Sequence, residues 1–384
     1  MLSAVLDRAR ARAAGAGGCR EHSVVRQEMH LSGFFSMLAG SLKAWTAALR
    51  TRRAFLTPIA RGLIDPTQCD DGATDLSCWF ERVGPPKCEA RPRGGGAPQL
   101  VFNLPQLHRE SLAAAQSVPA PFAHLGAFWW ASQYVARLTR PSARLRRLVD
   151  DAAAASGLAA ALAAGEAVAG FHVRHGDSCI ASEQSRTARR CEPLARYVDA
   201  ALPYLRRHRI RHVFLATDSE VVLRDAAALG AAEGLTFHVT PNVSRTGLAT
   251  PDPTEVLDLR IKARAARGGR AVAQTHTDAL LGIVDALLLA RCHVLVGKFT
   301  SGLFRAAYML AATRAGHRLR PFISLDAPWC ADYGVVSGYN DDFPRRDEAS
   351  IATREQVEAT DTLPRPRSRG RLPVRNYNAN MFQC

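Results

Sequence analysis

A doubly wound α/β protein built on a parallel sheet is the fold this sequence predicts, and three observations predict it. From residue 167 onward, short apolar runs of strand character alternate strictly with segments of helical spacing. Two of those runs, ending at Val173 and Val296, lead directly into clusters of Arg, hydroxyl and Gly residues, which is how an open α/β sheet presents ligand-binding groups at its strand tips. The chain has 384 residues and 47% hydrophobic content, enough to bury more than one core, so two or three units are expected.

The elements follow in order. Residues 1–25 are polar and basic and are expected to form a flexible N-terminal segment. Between His30 and Leu56 apolar residues recur at helical spacing (Phe34, Met37, Leu38, Leu42, Trp45, Leu49), which predicts an entry loop at Gly33, a helix, and a short strand Ala54-Phe55-Leu56. A cysteine-bearing irregular stretch closes with the loop Arg91 to Pro98. One helix is expected over Phe122 to Leu148 and an Ala-rich helix over Asp150 to Ala169; together with what precedes, 26–165 reads as an N-terminal α/β and helical domain. A Rossmann-like domain, 166–335, is expected to alternate strand (167–173), helix (194–207), strand (212–216), helix (220–229) and strand (235–239). A polar loop (241–269) then leads to helix (277–290), strand (293–296), helix (302–315) and strand (321–325). Residues 336–384, rich in Pro and Arg, read as an extended C-terminal tail.

The formal charge is +15, but only four of the 50 basic residues are Lys and the Arg excess travels with Ala runs. No basic stripe with interleaved aromatics is present, so nucleic acid is not expected as a partner. Nor is a membrane span, because the best candidate, Ala279 to Gly297, is interrupted by Asp285 and Arg291. The N-terminus, with Asp7, Arg8, Arg10 and Arg12, does not read as a signal peptide, so a cytoplasmic protein or a missing targeting end is expected. The nine cysteines form no CxxC pair, which favours loop-closing disulfides among Cys69, Cys78, Cys88, Cys179, Cys191, Cys330 and Cys384 over a zinc site. Cys179–Cys191, closing a short loop, is the favoured pair. Together with the sequon Asn242-Val243-Ser244 this points to a secretory lumen, while Cys292, in an apolar run, is expected as a buried free thiol.

The chemistry concentrates in two segments, Phe171-His172-Val173-Arg174-His175-Gly176-Asp177 and Val294 to Arg305. Arg174 is a planar donor able to hold a diphosphate bidentately, or else a surface Arg pairing Asp177. His172 points to the opposite sheet face from Val173. Thr300, Ser301 and Gly302 follow a strand and open a helix, where free N–H groups and the dipole favour a phosphate, although a capping Ser alone is common. Asp285 lies in an otherwise apolar helix and needs a partner, either a nearby Arg or the N1–H and N2–H of a guanine.

The order His172-Val173-Arg174 ahead of Asp177, then Leu215-Ala216-Thr217-Asp218, then Asp285 sixteen residues before Ser301, with Arg305 four further on, resembles the α1,6-fucosyltransferase (core fucosyltransferase, glycosyltransferase family 23-like) family. Gly33 to Met37 and Trp129 to Tyr134 are similar to that family's N-terminal half, so the resemblance runs from Leu31 to Tyr333. It implies a GT-B-like arrangement with 26–165 on the acceptor side. It also implies inverting transfer of fucose from GDP-fucose to a glycan or glycoprotein acceptor, an α1,6 linkage to an N-glycan core, in the Golgi or secretory lumen. By the same resemblance His172 and Asp285 read guanine, Arg174 holds the diphosphate, and Thr300, Ser301, Gly302 and Arg305 complete the phosphate cradle. Asp218 supports the floor of the site. Neither cofactor nor metal is implied, in keeping with the absence of an Asp-x-Asp triplet.

This chain departs from the family pattern at three positions. His175 stands in the donor site where the family has a second Arg, Ser178 stands where it has a Lys, and Ser182 occupies the catalytic Glu position, with Glu183 one residue further. Glu183 is nominated as general base and Asp177 as the second choice. The coiled coil and SH3 module of the human-type enzymes have no counterpart here. Two other functions remain open: fucosyl transfer to chitin oligomers or protein hydroxyls, and non-catalytic binding of a GDP-sugar or glycan.

Overall fold

The computed structural model describes residues 24–29, 33–50, 52–85, 88, 101–102, 118–176, 191–241, 257–316, 319–325, 329 and 352–353. The chain divides into two units, one formed by Met1–Arg144 with Ile261–Ala279, the other chiefly by Leu145–Arg260 with Leu280–Phe382. The division falls at Arg144, where the sequence reading expects 165, and a segment inside the expected second domain groups with the first unit.

The first unit carries a parallel three-stranded sheet of β1 (Val24–Gln27), β2 (Ala54–Phe55) and β3 (Val101–Phe102), in the order β2-β1-β3. Helix α1 (Phe34–Arg50) joins β1 to β2 and buries Phe34, Met37, Leu38 and Trp45, the face expected from their spacing. Helix α2 (Gly126–Leu138) brings Trp130 against Trp45, ring centroids 4.5 Å apart, and the Trp130 indole N–H donates to Thr46 Oγ1 at 3.1 Å. Cys69 and Cys78 form a disulfide in the same unit.

The single helix expected over Phe122 to Leu148 is two, α2 and α3 (Ala143–Ala155), because Pro141 cannot donate to a helical carbonyl and its ring clashes with the preceding turn. The Ala-rich stretch also breaks, at Gly157, into α3 and α4 (Leu158–Ala163).

The second unit is the doubly wound sheet. Its elements are β4 (Val168–Val173), α5 (Leu194–Arg207), β5 (His212–Thr217), α6 (Glu220–Glu233), β6 (Thr236–His238), α7 (Leu257–Arg267), α8 (Arg270–Leu289), β7 (Val294–Gly297), α9 (Gly302–Arg314), β8 (Phe322–Ser324) and β9 (Ala352–Thr353). The strand order is β6-β5-β4-β7-β8-β9, parallel throughout except β9. Alternation sorts the faces: Ala169, Phe171 and Val173 of β4 join a core with Tyr197, Val198, Ala201 and Leu205 of α5, whereas His172 stacks on Phe304 of α9. Full burial of each large apolar side chain there contributes roughly 1.5–3 kcal/mol.

Two expectations need correction. The segment read as a polar loop contains helix α7, whose residues (LDLRIKARAAR) are good helix formers of polar composition. Among the described residues one helix, α8, is long and apolar enough by length and composition to cross a membrane. It starts seven residues earlier than expected, at Arg270, and Ile283, Val284, Ala286, Leu288 and Leu289 are buried in the protein. Cys292 is a buried free thiol, as expected. Cys88 and Cys191 are also disulfide-bonded, and their partners, like Cys179, Cys330 and Cys384, lie outside the described residues.

Candidate functional site

The sheet reverses its winding between β4 and β7. From β4 the chain steps outward through β5 to β6, then starts again at β7 on the other side of β4 and continues to β8. The strand ends on either side of such a reversal splay apart, and the crevice outside their carboxyl ends is where open α/β sheets bind ligands. Arg174 leaves β4, and Lys298 to Gly302 leave β7, at this point.

The β4 tip is stapled to the β5 tip by one carboxylate. Asp218 Oδ2 accepts from Arg174 Nη1, and its Oδ1 accepts from the His175 backbone N–H at 2.8 Å. Asp218 is 7% exposed in its side chain and Arg174 26%, so the guanidinium is oriented from below while part of it reaches solvent. Gly176 completes the turn at φ +24, and a Cβ there would run into the Asp218 carboxylate, so only glycine lets the chain pass. Asp218 is thus a partner of Arg174 among the described residues; Asp177 and Glu183 lie outside them. The His175 ring turns away from the tip, and its Nε2 donates to the Glu192 carbonyl at 2.8 Å, just before α5.

On the α9 face, His172 is 4% exposed and its Nδ1 has no hydrogen-bond partner. Burial, with a smaller contribution from the Arg174 charge, holds its pKa down to about 3, so the ring is neutral. An unfilled buried nitrogen is costly unless a ligand or water completes it. Because the unfolded ring titrates at its ordinary 6.5, His172 supports the fold fully above that pH, and the support is lost as pH falls toward 3. In urea unfolding, the stability of wild type relative to His172→Phe is expected to fall by about 1.4 kcal/mol per pH unit as pH drops from 6.5 to 4. A pH-independent gap would show that the ring is not held neutral.

Across the reversal, a Cβ on Gly297 would lie 2.5 Å from the Phe304 ring, so glycine lets α9 close onto β7. The turn between them is held by Ser301 N–H donating to the Lys298 carbonyl at 3.0 Å and by Arg305 Nη1 donating to the Phe299 carbonyl at 2.8 Å. Ser301 is the N-cap residue of α9, with no side-chain cap bond, and Thr300, Ser301 and Arg305 are buried. Asp285 of α8, also buried, accepts from Thr240 Oγ1 at 2.9 Å. The sequence reading assigned no role to Thr240, Glu192 or Lys298. Thr240 and Lys298 carry a usable signal, a polar residue directly after a strand, whereas the Glu192 carbonyl carries none.

Among the described residues, one group places metal-ligand atoms together, Cys69, Cys78 and His276 of the first unit. The two sulfurs are joined as a disulfide, and N–H donors from Asp65 and from the Trp79 indole approach the two ring nitrogens of His276, each at 3.2 Å. These residues do not fit a cation.

No protein-family description matches the chain, and no curated protein matches it. Solved structures do show likeness. NodZ α1,6-fucosyltransferase soaked with GDP-fucose is 18% identical, with a TM-score of 0.43, over 80% of this chain and 96% of that one. Fucosyltransferase NodZ from Bradyrhizobium is 19% identical, with a TM-score of 0.43, over 80% and 96%. POFUT1 in complex with GDP-fucose is 11% identical, with a TM-score of 0.45, over 79% and 97%.

Proposed function

We propose that the chain is a GDP-fucose-dependent fucosyltransferase that transfers fucose to a glycan acceptor with inversion and without a metal ion. The observation that carries this reading is the winding reversal between β4 and β7. There an oriented, partly exposed Arg174 leaves β4 while the N-terminus of α9 follows the neighbouring strand β7, two elements suited to an anionic diphosphate. The neutral, unpaired His172 and the buried Asp285 supply an acceptor or donor and a carboxylate for a base edge. In this reading Arg174, Thr300, Ser301, Gly302 and Arg305 hold the diphosphate and neutralise the leaving group, the task a divalent cation performs in metal-dependent enzymes. Asp218 acts beneath them as the orienting group. Glu183, or failing it Asp177, takes the proton of the acceptor hydroxyl.

Within this reading the acceptor is the core of an N-glycan, joined through an α1,6 linkage, and the reaction runs in the Golgi or another secretory compartment. The disulfides at Cys69–Cys78, Cys88 and Cys191 support an oxidising compartment. An acceptor screen of complex N-glycans, chitin oligomers and folded protein domains distinguishes this acceptor from the others.

A second reading, donor binding without catalysis, is favoured by one observation. The His175 ring, at the position where the resembling family has a second Arg, is engaged with Glu192. Hydrolysis of GDP-fucose in the absence of acceptor separates the two.

The base site is tested by calorimetry in EDTA. GDP is expected to bind at least about tenfold tighter than UDP or ADP, because another base leaves the Asp285 carboxylate and His172 mismatched at roughly 1–3 kcal/mol. Equal affinity for all three would remove Asp285 and His172 from base recognition.

A further inference from the structure

Lys298 is one of only four lysines in the chain, and it lies at the winding reversal. It directly follows β7, is 6% exposed, and its carbonyl anchors the turn that opens α9. Ammonium groups are rarely buried to this degree, because their hydration is strong and the loss of it costs several kcal/mol unless negative charge compensates. Arg305, seven residues on and 5% exposed, places a second buried cation in the same short segment. The free N–H groups of the α9 N-terminus add positive potential there. An independent observation points to a ligand at the same place: His172, nine-tenths buried with an unpaired Nδ1, lies on Phe304 in the first turn of α9.

We propose that Lys298 is a donor-binding residue of this chain, supplying its ammonium to the terminal phosphate of the bound nucleoside diphosphate. The proposal rests on the GDP reading above and deepens it. Positions 175 and 178 carry His and Ser rather than the cations of the resembling family, and the His175 ring is turned to the Glu192 carbonyl. Lys298 follows β7, on the other side of the same winding reversal from β4. Lys298 already takes part in an interaction within the protein, so nucleotide binding exchanges that partner for a doubly charged phosphate. A Lys suits such an exchange, being a compact charge on a flexible stem that does not require planar registry.

The test titrates guanosine, GMP and GDP into wild type, Lys298→Met and Lys298→Arg. Wild-type affinity is expected to rise along the series. Lys298→Met is expected to lower GDP affinity about tenfold or more, GMP less, and guanosine not at all, with Lys298→Arg retaining much of the GDP affinity, as a charge-assisted contact requires. Disruption of the fold would instead weaken all three ligands together. A Lys298→Met protein with the wild-type ratio of GDP to guanosine affinity overturns the proposal while leaving the donor reading intact. A wild-type protein that binds no GDP overturns both.

Should Lys298→Met fail to fold, wild-type protein labelled with ¹⁵N at the lysine ammonium groups gives the answer, since only four signals are present and Lys298→Arg removes the relevant one. That signal is expected to shift with GDP and stay in place with guanosine. Its indifference to GDP overturns the proposal.

Discussion

Asp218→Ala is expected to lower both stability and GDP affinity, the larger loss of binding coming from a residue that need not touch the nucleotide. The substitution removes the carboxylate that both the Arg174 guanidinium and the His175 backbone N–H use. Breaking a fully buried pair costs about 3–5 kcal/mol, and the partial exposure of Arg174 reduces this to about 2–3 kcal/mol of folding stability. Without its orienting carboxylate Arg174 samples several rotamers, and GDP affinity is expected to fall about a hundredfold, the worth of a lost bidentate charge-assisted contact. Urea unfolding and calorimetry measure the two effects separately. Asp218→Asn, which keeps an acceptor for the His175 N–H but no charge for Arg174, should recover only the part of the stability due to that hydrogen bond and little of the affinity. Unchanged affinity in both variants would mean that Arg174 does not hold the nucleotide.

The second large effect concerns turnover. Glu183→Gln is expected to lower fucosyl transfer by roughly 10² to 10⁴ while leaving GDP affinity nearly intact, because a general base acts in the transition state and contributes little to donor binding. Transfer at near-normal rate in the variant would move the role to Asp177, and a loss of GDP binding would make Glu183 an organiser of the pocket.

What the sequence revealed followed from periodicity and position. Helix α5 was legible to the residue, Leu194–Arg207, because its apolar residues form one stripe that α5 buries against β4. Strands β4, β5, β7 and β8 were legible as apolar runs bounded by polar turns. Helix α7 was not, since its composition is polar, and the expected helix was carried past Pro141 to Leu148 because the apolar spacing continues on both sides of it. In the site, the alternation of β4 placed His172 and Val173 on opposite faces correctly. The partners were not legible: Asp218 meets Arg174 across 44 residues of chain and Thr240 meets Asp285 across 45. Such pairings depend on which strands become neighbours, and the order β6-β5-β4-β7-β8 is a property of the sheet rather than of any window of sequence.

The buried thiol of Cys292 has a consequence for the life of the molecule after it unfolds. In the native state the thiol is fully enclosed, donates to the Leu288 carbonyl, and is pushed by burial well above the usual thiol range. Almost no thiolate forms that could attack the bonds at Cys69–Cys78, Cys88 and Cys191. Unfolding returns that thiol to ordinary acidity and brings it among the same bonds, where it can attack any of them and pass the exchange along the chain. The native packing therefore keeps this thiol from acting as a nucleophile on the crosslinks it would rearrange, so the lifetime of the folded protein in an oxidising, near-neutral medium is set by how often it opens rather than by how stable it is on average.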